Sequence, residues 1–216
     1  MAKWPSELII VRHGQSVANA LKQAGLPKDP AMRDMDYPLT EMGWRQSLEL
    51  GKRLRESYRT PHTIVTSPYV RAKETVEGIV DGMGFKPEIV IEERVREIDF
   101  GIFDGLSYDE RLAKYPDEVA RWDRLGKYWY RPPGGESRPD VRLRVHSFLG
   151  TLTRDYVDEK VLVVCHSVVV LAFRSLLERW EEEQYMKIDQ EDDVRNAAAT
   201  IYQRDNDRLE LQQYNW

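Results

Sequence analysis

Hydrophobic positions along this chain fall into short runs separated by polar, turn-forming residues. Leu8–Val11 (L-I-I-V) and Val161–Val164 (V-L-V-V) are continuous apolar runs of the kind fully buried strands show. Thr63–Thr66 (T-I-V-T) is a β-branched run of the same length, and Glu88–Ile91 is a further strand candidate. Near the end, Ala197–Gln203 and Arg208–Gln213 flank Asp205-Asn206-Asp207 in the pattern of a terminal hairpin or edge pair.

Helical spacing fills the intervals. After Thr40, a candidate N-cap, Trp44, Ser47, Leu48, Gly51, Leu54 and Tyr58 recur mostly at steps of three and four until Pro61 breaks the pattern. Ala72, Thr75, Val76, Ile79 and Val80 mark the inner face of a second helix, which Gly82 and Gly84 should end. Ser107-Tyr108-Asp109-Glu110 fits a capping box, and Pro116 suits the first turn of another short helix. Ser137-Arg138-Pro139-Asp140 should cap a long helix with Val141, Val145, Phe148, Leu149, Leu152 and Tyr156 inside; Val168–Leu177 should continue from the last strand as a buried helix. Ala20–Tyr37, with Gly25, Pro27 and Pro30, has no clear periodicity and is expected to be a loop or insertion over the sheet edge. The alternation predicts one α/β domain over 1–216 without tandem repeats, with an insertion at about 20–38 and a lid-like segment at about 102–136.

Composition narrows the class. Hydrophobic residues make up 41% and charged residues 32%, as in a soluble globular protein. No stretch approaches the roughly 18 apolar residues of a membrane span. The N-terminal M-A-K-W-P-S-E carries no signal-peptide apolar region. With a single cysteine, Cys165, there is no intrachain disulfide framework, and the expectation is a cytoplasmic protein. The net charge of -5 offers no overall attraction for nucleic acid, so an anionic ligand would need a local basic pocket.

The chemistry gathers where the apolar runs stop. Leu8–Val11 ends at Arg12-His13-Gly14; the run at 63–66 leads to Arg71 in the first turn of a helix; Glu97 follows the third strand-like run; Val161–Val164 ends at Cys165-His166-Ser167. A parallel sheet brings such carboxyl ends to one edge, where open α/β sheets place ligands. Gly14 should allow a sharp turn, and Ser16 can cap the helix that follows. Together the residues offer a nucleophile in His13, fixed cations in Arg12 and Arg71, a second imidazole in His166 and a proton donor in Glu97, the parts of phosphoryl transfer. Taken singly, each has a plainer explanation: a solvated turn histidine, surface ion pairs, a solvent-facing carboxylate, a core histidine. Four histidines without ligand-like spacing do not suggest a metal.

R-H-G-Q-S-x-x-N at 12–19, P-L-T-x-x-G at 38–43, T-S-P-Y-x-R-A-x-E-T at 66–75, R-E-I-D-F-G at 96–101 and C-H-S at 165–167 resemble the histidine phosphatase superfamily, also called phosphoglycerate mutase-like, in order over nearly the whole chain. The resemblance implies a three-layer αβα sandwich with a mainly parallel sheet. It implies transient phosphorylation of His13, with Arg12, Arg71 and His166 cradling the phosphoryl group, Glu97 as general acid/base and Asn19 assisting phosphate binding. No metal or other cofactor is implied. Ser167 stands where most members have glycine, and Gln15 where many have glutamate. The E-I-D-x-G, S-Y-D-E and G-E-S stretches are similar to the fructose-2,6-bisphosphatase domain, and the C-H-S to plant and fungal phosphoglycerate mutase-like phosphatases.

Three readings follow: a phosphatase acting on a small phosphate monoester, a cofactor-dependent mutase, or a catalytically silent phosphate-binding protein. The compact Y-R-P-P-G-G-E-S route, where similar mutases carry a longer insertion, favours hydrolysis. Ser167, Tyr108, Arg121, Arg124, Lys127, Tyr128 and Tyr130 are candidate substrate contacts, although the aromatic residues of Arg121–Arg131 can equally be packing the lid. The expected partner is a phosphorylated small molecule, with neither nucleic acid nor membrane; oligomeric state leaves no trace in the sequence.

Overall fold

Six strands, Glu7–Arg12 (β1), Thr63–Thr66 (β2), Glu88–Ile91 (β3), Lys160–Cys165 (β4), Ala199–Asp205 (β5) and Arg208–Gln213 (β6), form one mixed sheet in a computed structural model that describes residues 4–29 and 31–216. The strand order is β3-β2-β4-β1-β5-β6. β3, β2, β4 and β1 are mutually parallel, and β5 and β6 add an antiparallel hairpin beside β1. The helices are Val17–Gln23 (α1), Glu41–Glu56 (α2), Val70–Met83 (α3), Tyr108–Lys114 (α4), Pro116–Trp129 (α5), Arg138–Asp155 (α6), Ser167–Leu177 (α7) and Glu182–Glu191 (α8).

The apolar runs occupy the middle of the sheet because both of its faces are covered. Side chains alternate along a strand, so β1 sends Ile9 and Val11 to one face and Leu8 and Ile10 to the other. β4 divides in the same way, Leu162 and Val164 against Val161, Val163 and Cys165. The first set packs with Leu50 and Leu54 of α2 and Ala72, Val76 and Ile79 of α3. The second packs with Val145, Phe148 and Leu152 of α6, the Val168–Phe173 stretch of α7 and Tyr185 of α8. These are the three layers expected.

Local expectations fare unevenly. Thr40, Ser107 and Ser137 cap α2, α4 and α6, and Ser16 forms a capping box with Asn19 at the start of α1. The segment at 20–38 is not wholly a loop. α1 runs through it to Gln23, and Asp34–Asp36 forms a 3₁₀ turn. The capping box supplies the start of α1 that hydrophobic spacing did not reveal. Residues 1–3 of the N-terminus and Pro30 of that segment lie outside the described residues. Tyr58 lies beyond α2, 85% exposed, rather than on its inner face. α8 fills a stretch to which the apolar pattern assigned nothing, and only Tyr185 of it is fully buried.

Two glycine contacts differ from expectation in the same sense. Gly14 is needed for close approach more than for a turn, since a Cβ there would lie 2.5 Å from the Gly43 carbonyl oxygen of α2. Gly82 does not end α3, which runs to Met83 with left-handed Gly84 as its cap. A Cβ on Gly82 would instead lie 2.1 Å from the Leu48 carbonyl oxygen, so Gly82 lets α2 and α3 touch backbone to backbone. Gly82→Ala should therefore destabilise the fold by about 1–3 kcal/mol through overpacking. Gly150→Ala, in α6 where an added Cβ meets nothing within 4 Å among the described residues, should stabilise it by up to about 1 kcal/mol. Urea unfolding of the two variants checks both signs.

Candidate active site

β1 and β4 lie side by side, but β1 leads to α2 on one face and β4 into α7 on the other. The segments that follow their carboxyl ends therefore diverge, and the crevice they leave is where an open α/β sheet takes its ligand. His13 and His166 are the residues that follow these two strands. Their rings meet edge to face, with centroids 5.1 Å apart. Arg71 arrives from the first turn of α3. Glu97 does not sit directly at a strand end: a 3₁₀ turn, Glu93–Val95, intervenes after β3.

Both nitrogens of His13 are committed. Nδ1 lies 2.7 Å from the Gly14 carbonyl oxygen, which can only accept, so Nδ1 carries the proton. Nε2 is left with its lone pair, which accepts from Arg71 Nε at 3.1 Å. Burial, and then the charges of Arg71 and Arg12, hold the His13 pKa well below the usual 6.5. The backbone is fastened as firmly. His13 N–H donates to the Cys165 carbonyl, Gly14 N–H to Thr75 Oγ1 of α3, and Asn196 Nδ2 donates to both the His13 carbonyl and Asn19 Oδ1.

His166 is fully buried, and its Nε2 lies 2.8 Å from Ser67 Oγ, which already accepts from the Tyr69 N–H. The Ser67 hydroxyl can donate to Nε2, and in that arrangement Nδ1 carries the proton. That nitrogen has no hydrogen-bond partner among the described residues and stands 4.0 Å from Glu97 Oε2. Arg12 Nε is a buried donor that likewise has no partner among the described residues, while its Nη1 reaches the Val194 carbonyl. Unpaired buried donors are costly, and an anion seated here would satisfy them.

Burial raises the Glu97 pKa above its usual 4.5, against the opposing pull of the Ile98 N–H and Arg71. Its backbone is clamped from α6. Arg144 donates to the Arg94 and Glu97 carbonyls at 2.6 and 3.2 Å and to Glu136 Oε1 at 3.0 Å. Glu136 in turn accepts from the Asp99 N–H and forms an ion pair with Arg96. An open cleft lined by Arg94, Arg96, Arg131 and Arg144 backs onto this clamp, with its cations paired to Glu92, Asp140 and Glu136.

His13, Arg71, Glu97 and His166 thus converge, with Arg12 close behind. The expected substrate contacts are more scattered. Asn19 Oδ1 is taken by Asn196 and by the Ser16 N–H, and Ser167 is half-buried at the start of α7. Tyr108 and Arg124 are exposed on α4 and α5, and among the described residues no hydrogen bond joins them to the cluster. Lys127 bonds Asp189 of α8. Tyr130 stacks on both Phe103 and Trp122, and Tyr128 packs against Tyr185, so most of the lid's aromatic rings serve packing; Trp129 stays exposed. Among the described residues, no three His, Cys, Asp or Glu side chains are placed to hold a metal ion, and no helix is long and apolar enough to cross a membrane.

Sequence reasoning missed Ser67, Thr75, Asn196, the Arg144–Glu136 clamp and Asp34, whose carboxylate lies 2.8 Å from Arg71 Nη2. Ser67 and Thr75 fall inside a quoted motif. Glu136 could have been paired with an arginine two turns along α6. Asp34 and Asn196 sit where no local pattern points.

Against known proteins, the family model for the histidine phosphatase superfamily (branch 1) matches residues 8–216. The chain belongs to this superfamily. A 2,3-bisphosphoglycerate-dependent phosphoglycerate mutase of Sinorhizobium fredii is 33% identical over 185 residues, 84% of this chain and 83% of its own length. A phosphoglycerate mutase-like protein of Arabidopsis thaliana is 30% identical, over 85% of this chain and 70% of its own. Among solved structures, a mycobacterial glucosyl-3-phosphoglycerate phosphatase superposes with a TM-score of 0.73 at 25% identity, covering 97% of this chain and 99% of that one. The alpha-ribazole phosphatase of Shigella flexneri has the same fold at 18% identity, with a TM-score of 0.78 over 97% of this chain and 96% of its own. The fold is phosphoglycerate mutase-like.

His13 and His166 both stay neutral in the folded state, whereas the unfolded chain protonates them near 6.5. The unfolded state then binds more protons, so stability should fall as pH drops through that value, by at most about 1.4 kcal/mol per pH unit for each histidine. Urea midpoints from about pH 7.5 to about pH 5.5 should show this slope, and it should flatten in the His13→Gln/His166→Gln variant.

Proposed function

We propose that this protein is a phosphatase that hydrolyses small phosphate monoesters through a phosphohistidine on His13. The observation that carries the proposal is the two-sided hold on that ring. The Gly14 carbonyl keeps the proton on Nδ1, and the Nε2 lone pair faces the Arg71 guanidinium, where a phosphoryl group would be drawn. A nucleophile must be unprotonated to attack, and the depressed pKa of His13 meets that need.

In the first step Nε2 attacks phosphorus in line, forming the P–N bond while the bond to the leaving oxygen breaks. Glu97, whose raised pKa favours the acid form, protonates that oxygen. Arg71, Arg12 and the Nδ1–H of His166 take up charge on the non-bridging oxygens. In the second step water attacks the phosphohistidine, Glu97 accepts its proton, and the P–N bond breaks to restore neutral His13. Phosphatase names among the structural neighbours support this direction.

The curated relatives named as mutases support a second reading, in which phosphohistidine returns its phosphate to a bound sugar acid. Incubation with 3-phosphoglycerate plus 2,3-bisphosphoglycerate, and with a panel of phosphate esters, separates the two. Phosphate release is the expected result; isomer interconversion would favour the mutase, and neither would reject both.

His13→Ala should abolish turnover and the formation of an acid-labile phosphoenzyme; retained turnover would remove His13 from the mechanism. Glu97→Gln should slow alkyl phosphates at least about 100-fold and aryl phosphates, with their better leaving groups, much less. It should also erase the loss of kcat/KM expected of the wild type as Glu97 deprotonates at rising pH. Equal slowing of both ester classes would exclude an acid role.

A further inference from the structure

The 3₁₀ turn Asp34–Asp36 lies between α1 and α2 and reaches the mouth of the site. Asp34 is the only carboxylate that touches Arg71 among the described residues. Arg71 Nη2 donates to Asp34 Oδ2 at 2.8 Å and its Nη1 to the Asp34 carbonyl, while its Nε is held by His13. The other carboxylate oxygen of Asp34 accepts from Lys28 Nζ at 2.7 Å. The Asp34 side chain is 14% exposed and that of Arg71 5%. Burial alone would raise the Asp34 pKa, but Arg71 and Lys28 outweigh it and keep the group ionised.

A buried guanidinium needs a counter-ion. A carboxylate on its Nη edge offers the acceptor oxygens that a phosphoryl group would offer, since arginine binds both anions through the same fork. When a phosphate arrives beside His13, two anions face one arginine in a poorly solvated space. Asp34 then becomes surplus negative charge, and it is the one that sits on a segment connecting two helices rather than in the sheet edge. Lys28, on the same segment, is already bound to it and can accompany it.

We propose that Asp34 is the internal counter-ion of the phosphate seat: it holds Arg71 while the site is empty, competes with the phosphoryl group for that arginine, and returns as inorganic phosphate leaves. The idea rests on the reading of Arg71 as a phosphate ligand. It makes Asp34 an affinity-setting residue that keeps the site from being trapped by its own product.

Binding of inorganic phosphate to the wild type, Asp34→Asn, Asp34→Ala and Arg71→Ala, measured by titration calorimetry, tests it. Removing the competing charge should tighten phosphate binding about tenfold or more. KM for a phosphate ester should fall by the same factor as the phosphate Kd, a parallel that loss of a merely structural contact would not produce. Asp34→Asn keeps the side-chain volume and decides the matter should Asp34→Ala fold poorly. If Asp34→Asn binds phosphate no more tightly than the wild type while Arg71→Ala loses binding, the competition is refuted and the Arg71 assignment stands. If Arg71→Ala binds phosphate like the wild type, the seat lies elsewhere and both fall.

Discussion

A buried imidazole beside two arginines stays neutral and in one tautomer only if something fixes its proton, and the Gly14 carbonyl does so through Nδ1 of His13. The placement of that carbonyl depends on distant parts of the fold. Its own peptide is tied through the Gln15 N–H to Gln46 of α2, the Gly14 N–H before it to Thr75 of α3, and Gly14 sits so close to Gly43 of α2 that no side chain fits between them. The contact between α2 and α3 at Gly51 and Gly82 sets the spacing of the two helices. The geometry of one hydrogen bond is thus underwritten by the packing of a whole layer, and Arg71, on the other side of the ring, comes from that same layer.

Charge in the site is balanced by position rather than by number. His13 and His166 are held neutral by burial and by neighbouring cations, and Glu97 is pushed toward its acid form by burial. These opposite displacements favour neutral imidazoles beside a protonated carboxyl, the combination the proposed mechanism needs. Asp34 is the exception, because Arg71 and Lys28 keep it ionised where the other groups are neutralised.

The face opposite α2 and α3 contributes side chains that hold backbone rather than enter the site. Arg144 and Glu136 hold both ends of the segment that carries Glu97, so α6 governs where that carboxyl can reach. In the lid, Tyr130 stacks on Phe103 and on Trp122 of α5, so its rings hold the segment together.

By itself the sequence determined the sheet, the helices with explicit caps and the four positions where chemistry emerges. These rest on local rules: a strand buried on both faces must be continuously apolar, a capped helix must carry its capping side chain, and a parallel sheet delivers all its carboxyl ends to one edge. It identified His13, Arg71, Glu97 and His166 as residues of one neighbourhood because each follows a strand-like run. It could not show that Gly14 and Gly82 are contact points, that Glu136 is the anchor of the Glu97 segment, or that α8 exists with so little apolar surface. Nor could it pair Asp34 with Arg71, 37 positions away. Tertiary structure alone decided these, because each is a meeting of backbones or charges from separate elements, and no spacing along the chain encodes such a meeting.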